Sequence, residues 1–152
     1  MNRIKGYFVL FGFVMLLGCG DGLSRVVISG TLKSQSGPVA NAIVQFYPRP
    51  GTPGEGAIGM CDERGNFTVI SSRKANEGLP PGKYTVRATR MISKDGIVLP
   101  ATATQAEHPD ARESVPAPYS TPASPIEVEI SEKGGALEIE IPAKVTGKLS
   151  ST

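Results

Sequence analysis

Ile126-Glu127-Val128-Glu129-Ile130 and Leu137-Glu138-Ile139-Glu140-Ile141 decide the fold. In each run an aliphatic side chain alternates with a carboxylate. Side chains on a strand point alternately to opposite faces, so each run presents one apolar face and one charged face. That is the pattern of a half-buried strand in a sheet covered on one side and wet on the other. Ser131 to Gly135 supplies turn residues between the runs, and the pair reads as a hairpin of antiparallel strands. Glutamates aligned across such a hairpin would repel unless the register staggers them or lysines and arginines intervene. A cation site is the other reading of the carboxylates, but a solvated strand face accounts for them.

The same alternation recurs upstream. Val26, Ile28, Gly30 and Leu32 share a face; Ala42, Val44 and Phe46 alternate with Ile43, Gln45 and Tyr47 until Pro48 stops the run. A short strand over Ala57–Cys61 turns through Asp62-Glu63-Arg64-Gly65-Asn66 into Phe67 and Val69, a second hairpin. Leu79-Pro80-Pro81-Gly82 leads rigidly into Tyr84, Val86 and Ala88, which alternate with Thr85, Arg87 and Thr89. Seven short strands separated by turns predict an all-β, seven-stranded Greek-key sandwich of two sheets. Composition agrees: 152 residues suit one domain, and 18 glycines with 13 prolines disfavour long helices. The stretch from Ile92 to Pro125 breaks the rhythm with six prolines. A connection so long must hug the surface or carry function. Gly96 to Leu99 is a candidate edge strand within it, and Lys144 to Thr152 reads as a frayed polar tail.

The amino terminus is a different material. Arg3 and Lys5 precede an uncharged run from Tyr7 to Leu17, the layout of a secretory signal. As a helix this run extends about 16 Å, roughly half the ~30 Å of hydrocarbon that a spanning segment must cross. Leu16-Leu17-Gly18-Cys19 resembles the lipobox of bacterial lipoproteins. The resemblance implies cleavage between Gly18 and Cys19, a diacylglyceryl group on the Cys19 thiol and acylation of the freed amine. Two or three acyl chains anchor stably where one holds marginally. The other readings of the leader are an ordinary cleavage site or an uncleaved anchor. The expected organisation is a signal peptide over 1–18, a tether over 19–24, a sandwich over 25–143 and a tail over 144–152. The expected place is the cell envelope, lipid-anchored and facing the periplasm or the exterior. Removing Arg3 and Lys5 leaves fourteen residues of each sign, so bulk charge gives no attraction to nucleic acid. Cys61 remains as a single thiol, which excludes a disulfide within the processed chain.

Several turn and strand motifs occur in a particular order: Val26-x-Ile28-x-Gly30, Gly37-Pro38-Val39-Ala40-Asn41-Ala42-x-Val44-x-Phe46, Asp62-x-x-Gly65-x-Phe67 and Pro81-Gly82-Lys83-Tyr84-x-Val86. Together they resemble the carboxypeptidase regulatory-like domain, a transthyretin-like (prealbumin-like) sandwich. The segment Val115-Pro116-Ala117-Pro118-Tyr119-Ser120-Thr121-Pro122-Ala123-Ser124-Pro125-Ile126 is similar to small lipoproteins of planctomycete-type bacteria built on that domain, with Pro118 where a lysine is common. The likeness spans about Val26 to Pro142 and implies a domain that accompanies peptidases without peptidase residues of its own.

The residues carry little chemistry beyond this. His108 is the single histidine, lies between Glu107 and Pro109, and belongs to no G-x-S-x-G or H-E-x-x-H motif. No catalytic residue, metal ligand or cofactor site is therefore assigned. Asp62 reads as a turn former bonded to the amide of Arg64 or Gly65 rather than a calcium ligand, the EF-hand spacing being missing. Gly65 and Gly82 are expected at positive φ. Tyr119 and Tyr47 are the candidate exposed contacts for a ligand. The function expected is a structural or protein-interaction module without catalysis, its partners the membrane and an unidentified envelope protein or glycan. The alternative is a glycan or peptide receptor using the 92–125 loop.

Overall fold

Alternating apolar residues become strands here because the inner face of each run has somewhere to go. In the computed structural model, which describes residues 22–71 and 78–150, ten strands carry the chain: β1 (Ile28–Ser34), β2 (Gly37–Pro38), β3 (Ile43–Pro48), β4 (Ala57–Met60), β5 (Asn66–Ser71), β6 (Gly82–Thr89), β7 (Met91–Ile92), β8 (Arg112–Glu113), β9 (Ile126–Ile130) and β10 (Gly135–Ile141). Seven form one path in the order β10-β1-β5-β4-β3-β6-β9, with β2 beside β1 and β7-β8 a separate pair. The fold is all-β. β5 joins its two halves: its first residues pair with β1 through Ser29↔Thr68, its later ones with β4 through Ile58↔Ile70. The two inner faces enclose Ile28, Leu32, Val44, Phe46, Phe67, Val69, Tyr84, Val86, Ile139 and Ile141. Every inward assignment made from alternation on β1, β3 and β6 holds.

The Phe67 ring lies across β1 at Gly30, its ladder partner. A Cβ there would stand 2.4 Å from the Leu137 carbonyl oxygen and 2.6 Å from the Phe67 ring, so only hydrogen leaves room for the ring. Phe46 meets that ring at a centroid distance of 6.1 Å and meets Tyr84 edge-on at 6.4 Å. Tyr84 buries its ring completely and donates its hydroxyl to the Pro80 carbonyl at 2.8 Å, which satisfies the one polar atom it carries inward. Burial pushes that phenol up to about 12.

One pairing differs from expectation. β9 and β10 do not form a hairpin: β9 pairs antiparallel with β6, while β10 pairs in parallel with β1 along Ile28–Ser34 and Gly135–Ile141. The Ser131 turn exists, with Gly134 N bonded to the Ser131 oxygen at 3.0 Å, but it carries the chain from one sheet to the other. Both runs bury the same kind of face, and they do so from opposite sides of the core. The glutamates consequently never line up across a ladder. Lys33 of β1 pairs with Glu138, and Arg49 pairs with Glu127.

Candidate functional site

The Asp62–Asn66 turn is built as its sequence proposes. Asp62 Oδ1 accepts from the amides of Arg64 and Asn66, both at 2.8 Å, and Oδ2 accepts from Asn66 Nδ2 at 3.0 Å. Both carboxylate oxygens are engaged in closing the turn. The Asn66 side chain and amide hold this exposed carboxyl below its usual range, with Arg64 adding to the effect. Gly65 has φ 78°, and a Cβ would stand 2.7 Å from the Leu32 oxygen, so the turn also sets the β1 approach. Gly82 is at positive φ as well, 151°.

The long connection after β7 is held down by a buried cation. Arg90 is 6% exposed; its Nε donates to Ser114 Oγ at 2.9 Å and its Nη2 to the Thr146 carbonyl at 2.6 Å. Burial lowers the guanidinium's pKa and the nearby Glu113 carboxylate raises it. Glu113 Oε1 accepts from the amides of Arg90 and Val115, so it fixes the same crossing from the other side. The stretch from Lys144, expected to fray, is docked here. Val145 is buried, Val98 N donates to the Lys148 oxygen at 2.9 Å, and Lys148 N donates to Gly96 O at 2.9 Å. The physical reason is that Val145 has a hydrophobic seat and the Ile97 segment offers open backbone groups. Gly96–Leu99 contributes isolated bridges, Ile92↔Val98 and Ile97↔Lys148, rather than a continuous strand.

Between this connection and the outer face of β3 and β6 lies a cleft of about 220 Å³. Asn41, Arg87, Thr89 and Glu113 supply its polar walls, and Ile43 and Pro100 lie among its apolar ones. Arg87 is fixed by its Nε donating to the Ser120 oxygen at 2.7 Å.

The two tyrosines singled out from sequence are in different places. Tyr119 is half-buried against the core, and its carbonyl accepts from Ala88 N at 3.1 Å. Tyr47 is exposed on β3, donates its hydroxyl to Gln45 Oε1 at 3.2 Å, and lines a shallow groove of about 270 Å³ with Ile58 and Ile70. Cys61 is buried, and burial pushes its thiol up to about 12, with Asp62 adding to the rise. That is the reverse of what a nucleophile needs. His108 is exposed on the connection, its amide bonded to the Thr104 oxygen. Beside it the Glu107 carboxylate accepts from Thr104 Oγ1 at 2.8 Å and Thr104 N at 3.0 Å, which lowers its pKa. Gly18 and Cys19 lie outside the described residues. Among the described residues no group of three or more His, Cys, Asp or Glu could hold a metal ion, and no helix is long and apolar enough to cross a membrane.

Two features escaped the sequence reading. Arg90 follows Ala88 by two on the inward parity of β6, a cation where a core residue belongs, and that was its available signal. Ile58, Met60 and Ile70 occupy outward positions of β4 and β5 and stay 38%, 42% and 39% exposed. Their signal was apolar residues on both parities of one hairpin.

No family model matches the chain, and no curated protein matches it. Among solved structures it is similar to the crystal structure of BcpA, the major pilin subunit of Bacillus cereus, at 18% identity and a TM-score of 0.42. The match covers 82% of this chain and 30% of that one, so the chain spans less than a third of that protein's length.

Proposed function

We propose that this protein is a non-enzymatic structural or interaction module, held at the cell envelope by lipid on Cys19. One observation carries the non-catalytic half of that reading: the polar groups best placed for chemistry are engaged in holding the fold. Both Asp62 oxygens close a turn, the Tyr84 hydroxyl is bonded inward, Arg90 clamps the long connection, and the Cys61 thiol is buried and raised to about 12. None is poised to move a proton or attack a substrate. The anchor half is supported by the Leu16-Leu17-Gly18-Cys19 tetrad after a charged start and a short apolar run. The carboxypeptidase regulatory-like resemblance fits a passenger domain of this kind.

Intact mass and amino-terminal sequencing of protein extracted from membranes test the anchor. The expected product begins at Cys19 and carries acyl groups, and Cys19→Ala abolishes both fatty-acid labelling and membrane partition. A Cys19→Ala chain that still partitions with membranes overturns the anchor.

The cleft beneath the long connection favours a second reading, a receptor for a peptide or glycan. Arg87 and Asn41 face it with donors, and Glu113 with a carboxylate. Screening acidic glycans and peptides against the protein and against Arg87→Ala separates the two readings. Binding that Arg87→Ala removes supports the receptor; no binding in the screen counts against it.

A further inference from the structure

Just before β1, and at outward positions of β3, β4 and β5, the sandwich presents apolar side chains to water. Val27 is 62% exposed, Tyr47 40%, Ile58 38% and Ile70 39%. The ladders bring the last three together: Ile58 lies opposite Ile70, and Gln45, two residues from Tyr47, lies opposite Ile58. Tyr47, Ile58 and Ile70 share the groove with Gly56 and Ala57. Outward positions on β9 and β10 carry glutamate instead, so the apolar cluster of Tyr47, Ile58 and Ile70 is local to one part of the outer face. Contiguous exposed apolar surface marks something that covers it.

The entering chain arrives at the same place. Leu23 Cδ1 lies 3.7 Å from where a Gly54 Cβ would stand, and the neighbouring Glu55 and Gly56 line the groove. Gly20, Asp21 and Gly22 are all that separate Leu23 from Cys19. Four Cα-to-Cα steps of 3.8 Å reach about 15 Å at most, however they run. Acyl chains on Cys19 therefore bring a bilayer surface within that distance of Leu23, beside the groove. The long connection, which packs near Asn41 and Thr89, is at the opposite end of the sheet.

We infer that the surface formed by Tyr47, Ile58 and Ile70 rests on the bilayer that holds the Cys19 lipid. This rests on the anchor reading above. The length of tether selects the occupant, because a surface kept so close to a membrane meets lipid before it meets a free partner. Tyr47 suits a headgroup region: its ring is apolar, and its hydroxyl tip is polar and bonded to Gln45. Arg49, which follows β3, is paired with Glu127, and Lys83 of β6 lies opposite Glu129 in register. The side chains of this face that would meet the bilayer are apolar.

The test uses the full acylated chain in phosphatidylethanolamine–phosphatidylglycerol nanodiscs, with and without a nitroxide-headgroup lipid, read by amide NMR intensities. Tyr47, Ile58 and Ile70 are expected to lose most of their intensity to the nitroxide, while Thr104 to His108 keep theirs. The double variant Ile58→Ser, Ile70→Ser changes outward positions and keeps the core, and it is expected to abolish that contrast while remaining acylated. Equal attenuation at both ends in acylated, disc-bound wild-type protein overturns the inference and leaves the anchor standing. A mass without acyl groups and protein free of the discs overturns the anchor and the inference with it. A doubled sedimenting mass without lipid, lost in the double variant, assigns the face to a second copy and also overturns it.

Discussion

The outer faces of the two ends of the sheet path and of its middle obey the same alternation and show opposite chemistry. On β9 and β10 every outward position flanked by core residues is a glutamate, and neighbouring strands supply cations: Lys33 to Glu138 and Arg49 to Glu127. On β4 both outward positions, Ile58 and Met60, are aliphatic or thioether and remain exposed, and Ile70 continues them on β5, whose other outward positions, Asn66 and Thr68, are polar. Inner positions are constrained by packing and look alike in both regions. Outer positions are not needed by the core, so their chemistry is free to differ: charged in one region, apolar around Ile58 and Ile70 in the other.

The largest effect should come from the shared interior. Phe46→Ala, beneath the aliphatic face, is expected to cost ~3–5 kcal/mol, and Ile139→Ala, beside the glutamates, ~2–5 kcal/mol, by denaturant unfolding. A large loss at one position with almost none at the other would break the picture of one continuous core. Next is Arg90→Met, expected to cost about 1–3 kcal/mol because the Thr146 carbonyl loses its charged donor and Ser114 Oγ one of its partners. Hydrogen exchange should quicken at Ser114, Val98 and Lys148 and stay slow in β1 and β6.

Asp62→Asn should act on the acid limb. A carboxyl held below its ordinary value of 3.8 in the fold stabilises above that unfolded value, and the contribution is lost as pH falls through the lower folded value. The variant should therefore show a shallower fall in stability below pH 3.8 than wild type. The smallest effects belong to the outer faces. Glu138→Gln, which loses an exposed ion pair, should change stability by less than about 1 kcal/mol. Ile58→Ser, which loses a cross-strand pair with Ile70, should cost no more than about 1 kcal/mol. A larger destabilisation by Ile58→Ser would mean that this face serves the fold itself, and would remove the contrast.

Much of this was legible in sequence because alternation encodes which face is buried. The inward sets of β1, β3 and β6, the β4-β5 hairpin and the Asp62 turn all follow from local pattern. Alternation does not encode which neighbour a strand bonds. A Ser131–Gly135 turn can fold two strands onto each other or pass them between sheets, and the choice depends on the open edge of β1, far away in sequence. The docked tail has the same cause: Val145 is one apolar residue among polar ones, and its seat exists only after the long connection is in place. Of the candidate contacts, Tyr47 is at a groove and Tyr119 leans on the core, a difference set by the connection's path rather than by either residue's neighbours in sequence.

The parallel register of β1 and β10 has a mechanical consequence. Both strands run the same way, so the entering chain leaves one end of the pair and the chain after Ile141 leaves the other. Tension between an anchored amino-terminal side and any load applied beyond the carboxyl side would slide the two strands lengthwise past each other. Their ladder would then resist as a set of bonds strained simultaneously instead of peeling one by one, and a single-molecule stretching experiment should register a high, abrupt rupture force along that axis.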